Sequence, residues 1–597
     1  MKPDVLLLKN RILSACGYGG ALSLRAYPYE CLRVDGEGTE VAIGYASTTD
    51  LARGIALSVM HIRRGEQSFH IREKRRIEKN GVMLDCSYEG MPTVKTLKLY
   101  IDYMAAMGLN RLMLYTEDTY EVKEHPEMGY QRGRYTQAEL REIDTYAAEM
   151  GVELVGCIQT LSHLSRLLQW DAFADIANDS ATLLCDEERT YEFIENCIRA
   201  ISESIRSRTI HIGLDEAFDV AGGRYKKIHG ASDGLSVYTR HVRRVYAICK
   251  KYGLSPMMWS DCFFRYSMKE PSYGIQYSAN EPIPEAILAA VPRDLGMVYW
   301  EYEEQSEAVY DAIIKAHAPL GGAVTVATAA WTWDGQLPYI DYTFKTQVPA
   351  LEAALKNGIR SVLCTVWQCG GHAGDYFFTL PSLALYGQYA YEGADTREAA
   401  VAELLESTAS LSLSALRLCD IYHDPRRFVF HGGEKYLTAP LLVNTLCSTE
   451  NPAEAYLGAA EKMRSYKSER FGMLYSFAAD LLELTGLKCE LLNTLAPAYK
   501  AGDRQALRIC TEEKLTRVLA LLLSLREQRQ KRWLEVQKPY GFFAINQNYG
   551  RAIAEMEYTL YRLRSYLSGE VDFLEELEAE ILPLQYADDK KSNYDHI

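Results

Sequence analysis

Between residues 81 and 366, short runs rich in β-branched and aromatic residues alternate with longer stretches whose apolar positions recur every three to four residues. The strand-like runs fall at 81–86, 111–115, 152–159, 209–214, 255–260, 296–301, 323–327 and 361–366. Amphipathic stretches of helical length lie between them, among them 94–107, 137–150, 235–252, 306–316 and 346–356. Eight strands alternating with helices across 79–390 predict an α/β fold of the (β/α)8 TIM-barrel type. Ahead of it, a strand-like run at 41–46 and a helix-like run at 48–61 mark 1–78 as a small α/β domain. The basic stretch 70–79 reads there as a solvated connector. After about residue 390 the strand signal stops. Helical periodicity dominates 453–466, 473–484, 513–535 and 551–567, so 391–597 is expected to be an all-helical C-terminal domain. Packing, homodimer formation and closing one side of the barrel stay open as its role.

Composition narrows the function classes. Of 597 residues 48% are hydrophobic and 24% charged, an ordinary globular balance. Asp and Glu number 80 against 65 Lys and Arg, a net charge of −15 that repels phosphate and disfavours bulk nucleic-acid binding. The longest apolar stretch, near 518–523, is far short of the roughly 20 residues a membrane span needs. The opening residues 1–15 place Asp4, Lys9 and Arg11 around a leucine run, too charged for a signal peptide. The fourteen cysteines form no C-x-x-C pair, and no H-E-x-x-H is present. These features lead to the expectation of a soluble cytoplasmic chain with reduced thiols, no membrane partner, no metal and no cofactor.

In a barrel, chemistry gathers at the carboxyl ends of the strands. Polar and aromatic residues concentrate at those ends here. The first strand ends in Asp85, the second in Glu117 and Asp118, and the third in Gln159 with His163 soon after. The fourth runs into Asp215 and Glu216, the fifth into Trp259 and Asp261, the sixth into Trp300, Glu301 and Tyr302. Trp331, Trp333 and Asp334 follow the seventh, and Trp367 the eighth. A lone strand-end aspartate is usually a cap and a lone tryptophan usually core. Five of the seven tryptophans beside six or more carboxylates is a different composition. Aromatic faces stack on sugar C–H faces and carboxylates bind hydroxyls, so the pocket reads as one for a carbohydrate.

Residues 211–217, His-Ile-Gly-Leu-Asp-Glu-Ala, are the most specific signal. They resemble the H-I-G-x-D-E motif of family-20 glycoside hydrolases, the β-N-acetylhexosaminidases, at the expected fourth strand. Residues 81–87, 114–121 with 129–135, 157–163, 257–261 and 298–302 are similar to that family's first, second, third, fifth and sixth strands. The resemblance is strongest to the hexosaminidase-D-like intracellular branch. It implies hydrolysis of a terminal β-linked N-acetylhexosamine in which the substrate's own acetamido oxygen attacks the anomeric carbon. It makes Glu216 the acid/base and Asp215 the partner of the acetamido N–H. Neighbours in a regular strand point oppositely, so this pair must sit where the strand breaks. Glu216 is expected to have a raised pKa, and Asp215 to stay ionised. Tyr302 is the candidate donor to the acetamido oxygen, with Tyr299 as its rival. Trp259, Trp300, Trp331, Trp333 and Trp367 are expected around the sugar, with Asp85, Asp118, Asp261 and His163 as further contacts.

Two departures mark the far side of the sugar. The first-strand motif of the family continues into an arginine, where this chain has Tyr88. After the eighth strand the branch carries acidic residues where this chain has Cys369 and Ala373, with Gln368 and His372 nearby. Each charged hydrogen bond lost there is worth about 1.5–3 kcal/mol unless replaced. GalNAc in place of GlcNAc, or a substituted sugar, is the expected consequence. Two other readings remain at this point: a conventional glycosidase using two carboxylates among Asp215, Glu216, Glu117 and Asp118, and a non-catalytic carbohydrate-binding barrel.

Overall fold

The structure, a computed structural model, describes residues 3–88, 90–270, 276–368, 374–423, 434–443 and 451–580. Residues 1–330, 342–367 and 379–409 form one compact unit. Residues 331–341, 368–378 and 410 onward form a second.

The first unit opens with a four-stranded sheet of β1 (Ser23–Pro28), β2 (Leu32–Glu37), β3 (Glu40–Tyr45) and β4 (Ser68–Glu73), in the order β1-β3-β2-β4. The helix Thr48–Arg63 follows β3 and buries Leu51, Ile55 and Val59. Its start is fixed by a reciprocal capping box between Ser47 and Asp50. The stretch 70–79 differs from its expectation as a solvated connector. Its first half is β4, and Arg75, only 15% exposed, donates to Thr49 and Asp50 at 2.9 and 3.1 Å. A cation this close to a buried carboxylate is drawn out of solvent by it.

The barrel is closed by eight parallel strands: β5 (Lys79–Asp85), β6 (Arg111–Thr116), β7 (Glu153–Ile158), β8 (Thr209–His211), β9 (Ser255–Trp259), β10 (Gly296–Trp300), β11 (Val324–Ala329) and β12 (Ser361–Val366). The α/β barrel expected from periodicity is present, with β12 pairing β5 to close the ring. Its interior is a packed core rather than a pore. Met83, Met113, Val155, Met257, Val298 and Leu363 fill it from alternate strand positions. The period of two then fixes what comes next on each inward face. Two or four residues further on stand Asp85, Glu117, Gln159, Asp261, Tyr302 and Trp367. The inward parity of the core therefore selects which strand-end residues share the mouth.

The second unit is built of the helices Ala453–Ser465, Gly472–Lys500, Thr516–Val536 and Phe542–Ser568 with shorter pieces between them. The segments that follow β11 and β12 belong to it. Asp420 accepts the backbone N–H groups of Ile340 and Asp341 at 2.6 and 3.1 Å, and Tyr549 donates to Gln336 at 2.9 Å. Arg532 donates to Asp375 at 2.5 and 3.3 Å from its Nε and Nη2. Asp375 is 2% exposed, and although burial pushes its carboxyl up, the guanidinium outweighs it and holds it below the usual aspartate range. Among the described residues no helix is long and apolar enough to cross a membrane.

Deleting one partner of a buried ion pair leaves the other charge without compensation. Arg532→Ala is expected to lower the unfolding free energy of the second unit by about 3–5 kcal/mol. A urea transition followed by circular dichroism reads this directly. A midpoint unchanged from wild type would show that the Asp375 charge is solvated after all.

Candidate active site

The site is made by an interruption. β8 ends at His211, three residues earlier than the sequence pattern suggests, because the backbone turns left-handed immediately afterwards. Gly213 has φ +70°, and a Cβ there would stand 1.9 Å from Gln159 Oε1, so glycine is required. Leu214 and Glu216 follow at φ +75° and +51° without that freedom. Non-glycine residues in this region cost about 1–3 kcal/mol each and persist only where their surroundings over-determine them. Here they do. Tyr238 Oη donates to Leu214 O at 2.8 Å, Ser162 Oγ to Asp215 O at 2.5 Å, and Glu216 N to Asp261 Oδ2 at 2.9 Å. The break frees the adjacent carboxylates from strand alternation. Both face one imidazole nitrogen: His163 Nε2 lies 3.1 Å from Asp215 Oδ2 and 3.5 Å from Glu216 Oε2.

That arrangement pulls the two acids apart. Burial pushes Asp215 up, but the His163 charge and the hydrogen bonds from His163 and Gln159 outweigh it, and the carboxyl falls below its ordinary range. Gln159 Nε2 donates to Asp215 Oδ1 at 2.8 Å and lies 2.8 Å from Tyr115 Oη. Glu216 moves the other way. Partial burial raises it, the Asp215 charge adds to the rise, and His163 only partly opposes. Its side chain keeps 40% exposure, so it faces an incoming molecule. Burial alone would lower His163, yet Asp215, Glu216 and Glu117 raise it to about 10, so it stays an imidazolium at neutral pH. Two neighbouring carboxyls with opposite shifts are the pattern of an assigned acid and an assigned anion.

Beside Glu216 lies a cavity of about 230 Å³, lined by Ser87, Tyr88, Glu117, His163 and Arg166 among others. Glu117, weighed above only as an alternative nucleophile, is 8% exposed and pushed up to about 8 by burial and by Asp85 and Asp118. It was legible as the residue two steps beyond inward-facing Tyr115. Arg166, on the short helix Ser165–Leu168, carried no sequence signal.

On the other flank stand aromatic rings. Tyr115 meets Trp367 edge to face at 4.9 Å, Trp259 lies 6.5 Å from Trp367, and Trp300 lies 5.2 Å from Tyr302. The indole nitrogens of Trp259, Trp300 and Trp367 are buried with no hydrogen-bond partner among the described residues. Buried donors are normally satisfied, so three orphans in one place point to a polar guest. Tyr302 shares this box, 6.4 Å from Trp367, and burial drives its hydroxyl far up, so it remains a donor. Its rival Tyr299 has the opposite parity and packs against Tyr277 and Tyr310 at 4.7 and 5.9 Å.

Other expected residues have internal partners. Asp85 Oδ1 accepts from Ser87 N and Oγ at 2.8 and 2.7 Å. Asp118, fully buried, pairs with Arg132 at 2.9 Å, and Asp261 serves the Glu216 backbone. Trp331 and Trp333 stack on each other at 4.3 Å within the second compact unit. Cys369 and His372 lie outside the described residues. His211 is buried beside Trp259 and held neutral, its pKa lowered to about 4 by burial, with Nδ1 accepting from Gly213 N at 3.1 Å. Among the described residues no group of His, Cys, Asp and Glu is arranged to hold a metal ion.

Comparison with known proteins agrees with this geometry. Residues 79–303 match Glycosyl hydrolase family 20, catalytic domain, and residues 442–595 match Glycoside Hydrolase 20C C-terminal domain. Hexosaminidase D of Homo sapiens is 21% identical over 301 residues, 47% of this chain and 58% of that protein, so the match spans less than two thirds of the human relative. Hexosaminidase D of Bos taurus is 21% identical over 47% of this chain and 82% of its own length. Among solved structures, a GH20 exo-β-N-acetylglucosaminidase from Vibrio harveyi in complex with N-acetylglucosamine shares the fold with TM-score 0.51 and 15% identity, covering 70% of this chain and 74% of that one. A mutant β-hexosaminidase of Streptomyces plicatus in complex with its product GlcNAc does so with TM-score 0.50 and 19% identity, covering 68% and 88%. With the Asp215–Glu216 pair in place at the break of β8, and with both matched regions falling on the barrel and on the helical segment, the chain belongs to glycosyl hydrolase family 20.

Proposed function

We propose that this protein is an exo-acting, retaining β-N-acetylhexosaminidase working by substrate-assisted catalysis, with a glycan or glycoconjugate as substrate. The observation that carries the reading is the opposite displacement of Asp215 and Glu216 around His163. The terminal sugar places its 2-acetamido group in the box of Trp259, Trp300 and Trp367. Its carbonyl oxygen attacks the anomeric carbon while the bond to the leaving oxygen breaks. Glu216 gives its proton to that oxygen, and ionised Asp215 accepts the acetamido N–H as positive charge develops on the amide. Tyr302 donates to the acetamido oxygen, stabilising the oxazolinium ring. Water then attacks the anomeric carbon from the vacated face, that carbon's bond to the acetamido oxygen breaks to restore the amide, and Glu216, now a carboxylate, takes the water's proton. The double displacement retains the β configuration.

A preference for GalNAc over GlcNAc belongs to the same proposal. It rests on the loss of the usual hydroxyl grip at Tyr88, Cys369 and Ala373. A cytoplasmic setting is supported by twelve described cysteines that are buried and not joined in disulfides.

Release of 4-nitrophenol from β-GalNAc and β-GlcNAc glycosides tests the assignment. Wild type is expected to hydrolyse both, GalNAc faster, and Glu216→Gln to lose about 10²–10⁴-fold in kcat. Equal rates on the two sugars would remove the discriminating pocket, and an unimpaired glutamine variant would remove the acid. The pH profile follows from the two shifts. Glu216 must be protonated, so kcat/KM falls as pH rises through its raised pKa, above the ordinary glutamate range. Asp215 must be ionised, so the acid limb lies below the ordinary aspartate range. A profile whose two limbs both sit at ordinary carboxylate values would contradict the divided roles.

A further inference from the structure

We propose that Asp261 is a positioning residue for this reaction: its carboxylate fixes the backbone of Glu216 and so sets where the acid delivers its proton. The inference rests on the hydrolase reading above.

Asp261 directly follows β9 and opens the short helix Asp261–Arg265. It is fully buried, so its nearest purpose lies inside the protein. Glu216 is left-handed at φ +51° and lies beyond the end of β8, where no strand partner continues the ladder. Its N–H donates instead to Asp261 Oδ2 at 2.9 Å. Tyr238 holds the Leu214 carbonyl, Ser162 the Asp215 carbonyl, and Tyr266 the Ala217 carbonyl. Phe218 N donates to the Glu216 carbonyl at 3.2 Å and Gln276 Nε2 to its Oε1 at 3.5 Å, while Asp261 takes the Glu216 N–H. Burial and the neighbouring Asp215 charge push the Asp261 carboxyl up to about 7, and in either protonation state an oxygen remains to accept the Glu216 N–H.

The chemical consequence is specific. Without the acceptor, the 215–216 peptide is held only at its carbonyl, by Ser162, and the Glu216 carboxyl shifts as its N–H end loosens. Misplacement of a catalytic group by about 1 Å costs about 10²-fold in rate. The penalty depends on how much the leaving group needs a proton. A phenol leaving group needs protonation, while 2,4-dinitrophenol departs as the anion. Asp215 keeps its own contacts with Gln159, Ser162 and His163, so the group that meets the acetamido N–H stays in place.

The test compares wild type, Asp261→Ala, Asp261→Asn and Glu216→Gln on phenyl and 2,4-dinitrophenyl N-acetylhexosaminides. Asp261→Ala is expected to lower kcat about 10²-fold on the phenyl glycoside. Its expected loss on the dinitrophenyl glycoside is only a few-fold, with KM unchanged on both, the same leaving-group signature as Glu216→Gln. Asp261→Asn keeps an oxygen acceptor and is expected to recover most of the phenyl rate. Equal losses on both glycosides, an asparagine variant as impaired as alanine, or an alanine variant equal to wild type would each overturn the proposal. Asp261→Ser, too short to reach Glu216 N, replaces alanine if that variant does not fold. Wild type inactive on both glycosides would refute the hydrolase reading itself and this proposal with it. In an active wild type the comparison bears on Asp261 alone.

Discussion

The site depends on a strand that stops early. Neighbouring side chains on a regular β-strand point to opposite faces, so an adjacent Asp-Glu pair on an intact β8 would send one carboxylate inward and the other into the helical layer. Ending β8 at His211 and turning left-handed at Gly213, Leu214 and Glu216 removes that constraint. The strain is held in place by side chains of neighbouring elements: Gln159 and Ser162 after β7, Asp261 after β9, and Tyr238 on the helix Gly234–Lys251. Much of what surrounds the pair is explained by the need to hold this turn.

The same geometry decides the electrostatics. One imidazolium serves both acids, but unequally. It is closer to Asp215, with which it forms an ion pair at 3.1 Å, and Gln159 adds a hydrogen bond to the same carboxylate. Glu216 receives a longer contact and feels the Asp215 charge beside it. An ionised first acid therefore raises the second. The opposite shifts follow from burial of Glu216 beside an ionised neighbour on one side, and from the closer His163 and the Gln159 donor at Asp215 on the other.

The barrel was legible because its signal is local: each strand announces itself in five or six residues, and all eight appear where periodicity put them. Parity then extends the reading to the mouth. Trp300 and Tyr302 are two apart and share a face, which separates Tyr302 from Tyr299, and Tyr115 carries Glu117 by the same step. What stayed hidden depends on contacts between distant elements. The Asp118–Arg132 pair and the Asp261–Glu216 bond span 14 and 45 positions. Nothing in the run 331–341 marks it as a companion of Asp420 and Tyr549, whose partners lie 79–80 and 213 residues away. The early end of β8 was hidden for another reason. Leu214 is a good strand residue, and its left-handed conformation is imposed by its neighbours, against local preference.

Strain also bears on the choice between a catalyst and a barrel that merely binds. A fold selected only for stability has no reason to keep Leu214 and Glu216 left-handed, three indole nitrogens without a partner among the described residues, and a buried carboxyl directly beside a second one. Each of these lowers stability, and each is readily relieved by substitution. A binding pocket for a neutral sugar explains the indoles and the rings. It does not explain why two adjacent carboxyls are shifted in opposite directions, since a hydroxyl-binding site is served better by two anions. The features that weaken the fold coincide with those a proton donor and a neighbouring anion require, and that coincidence favours hydrolysis over binding.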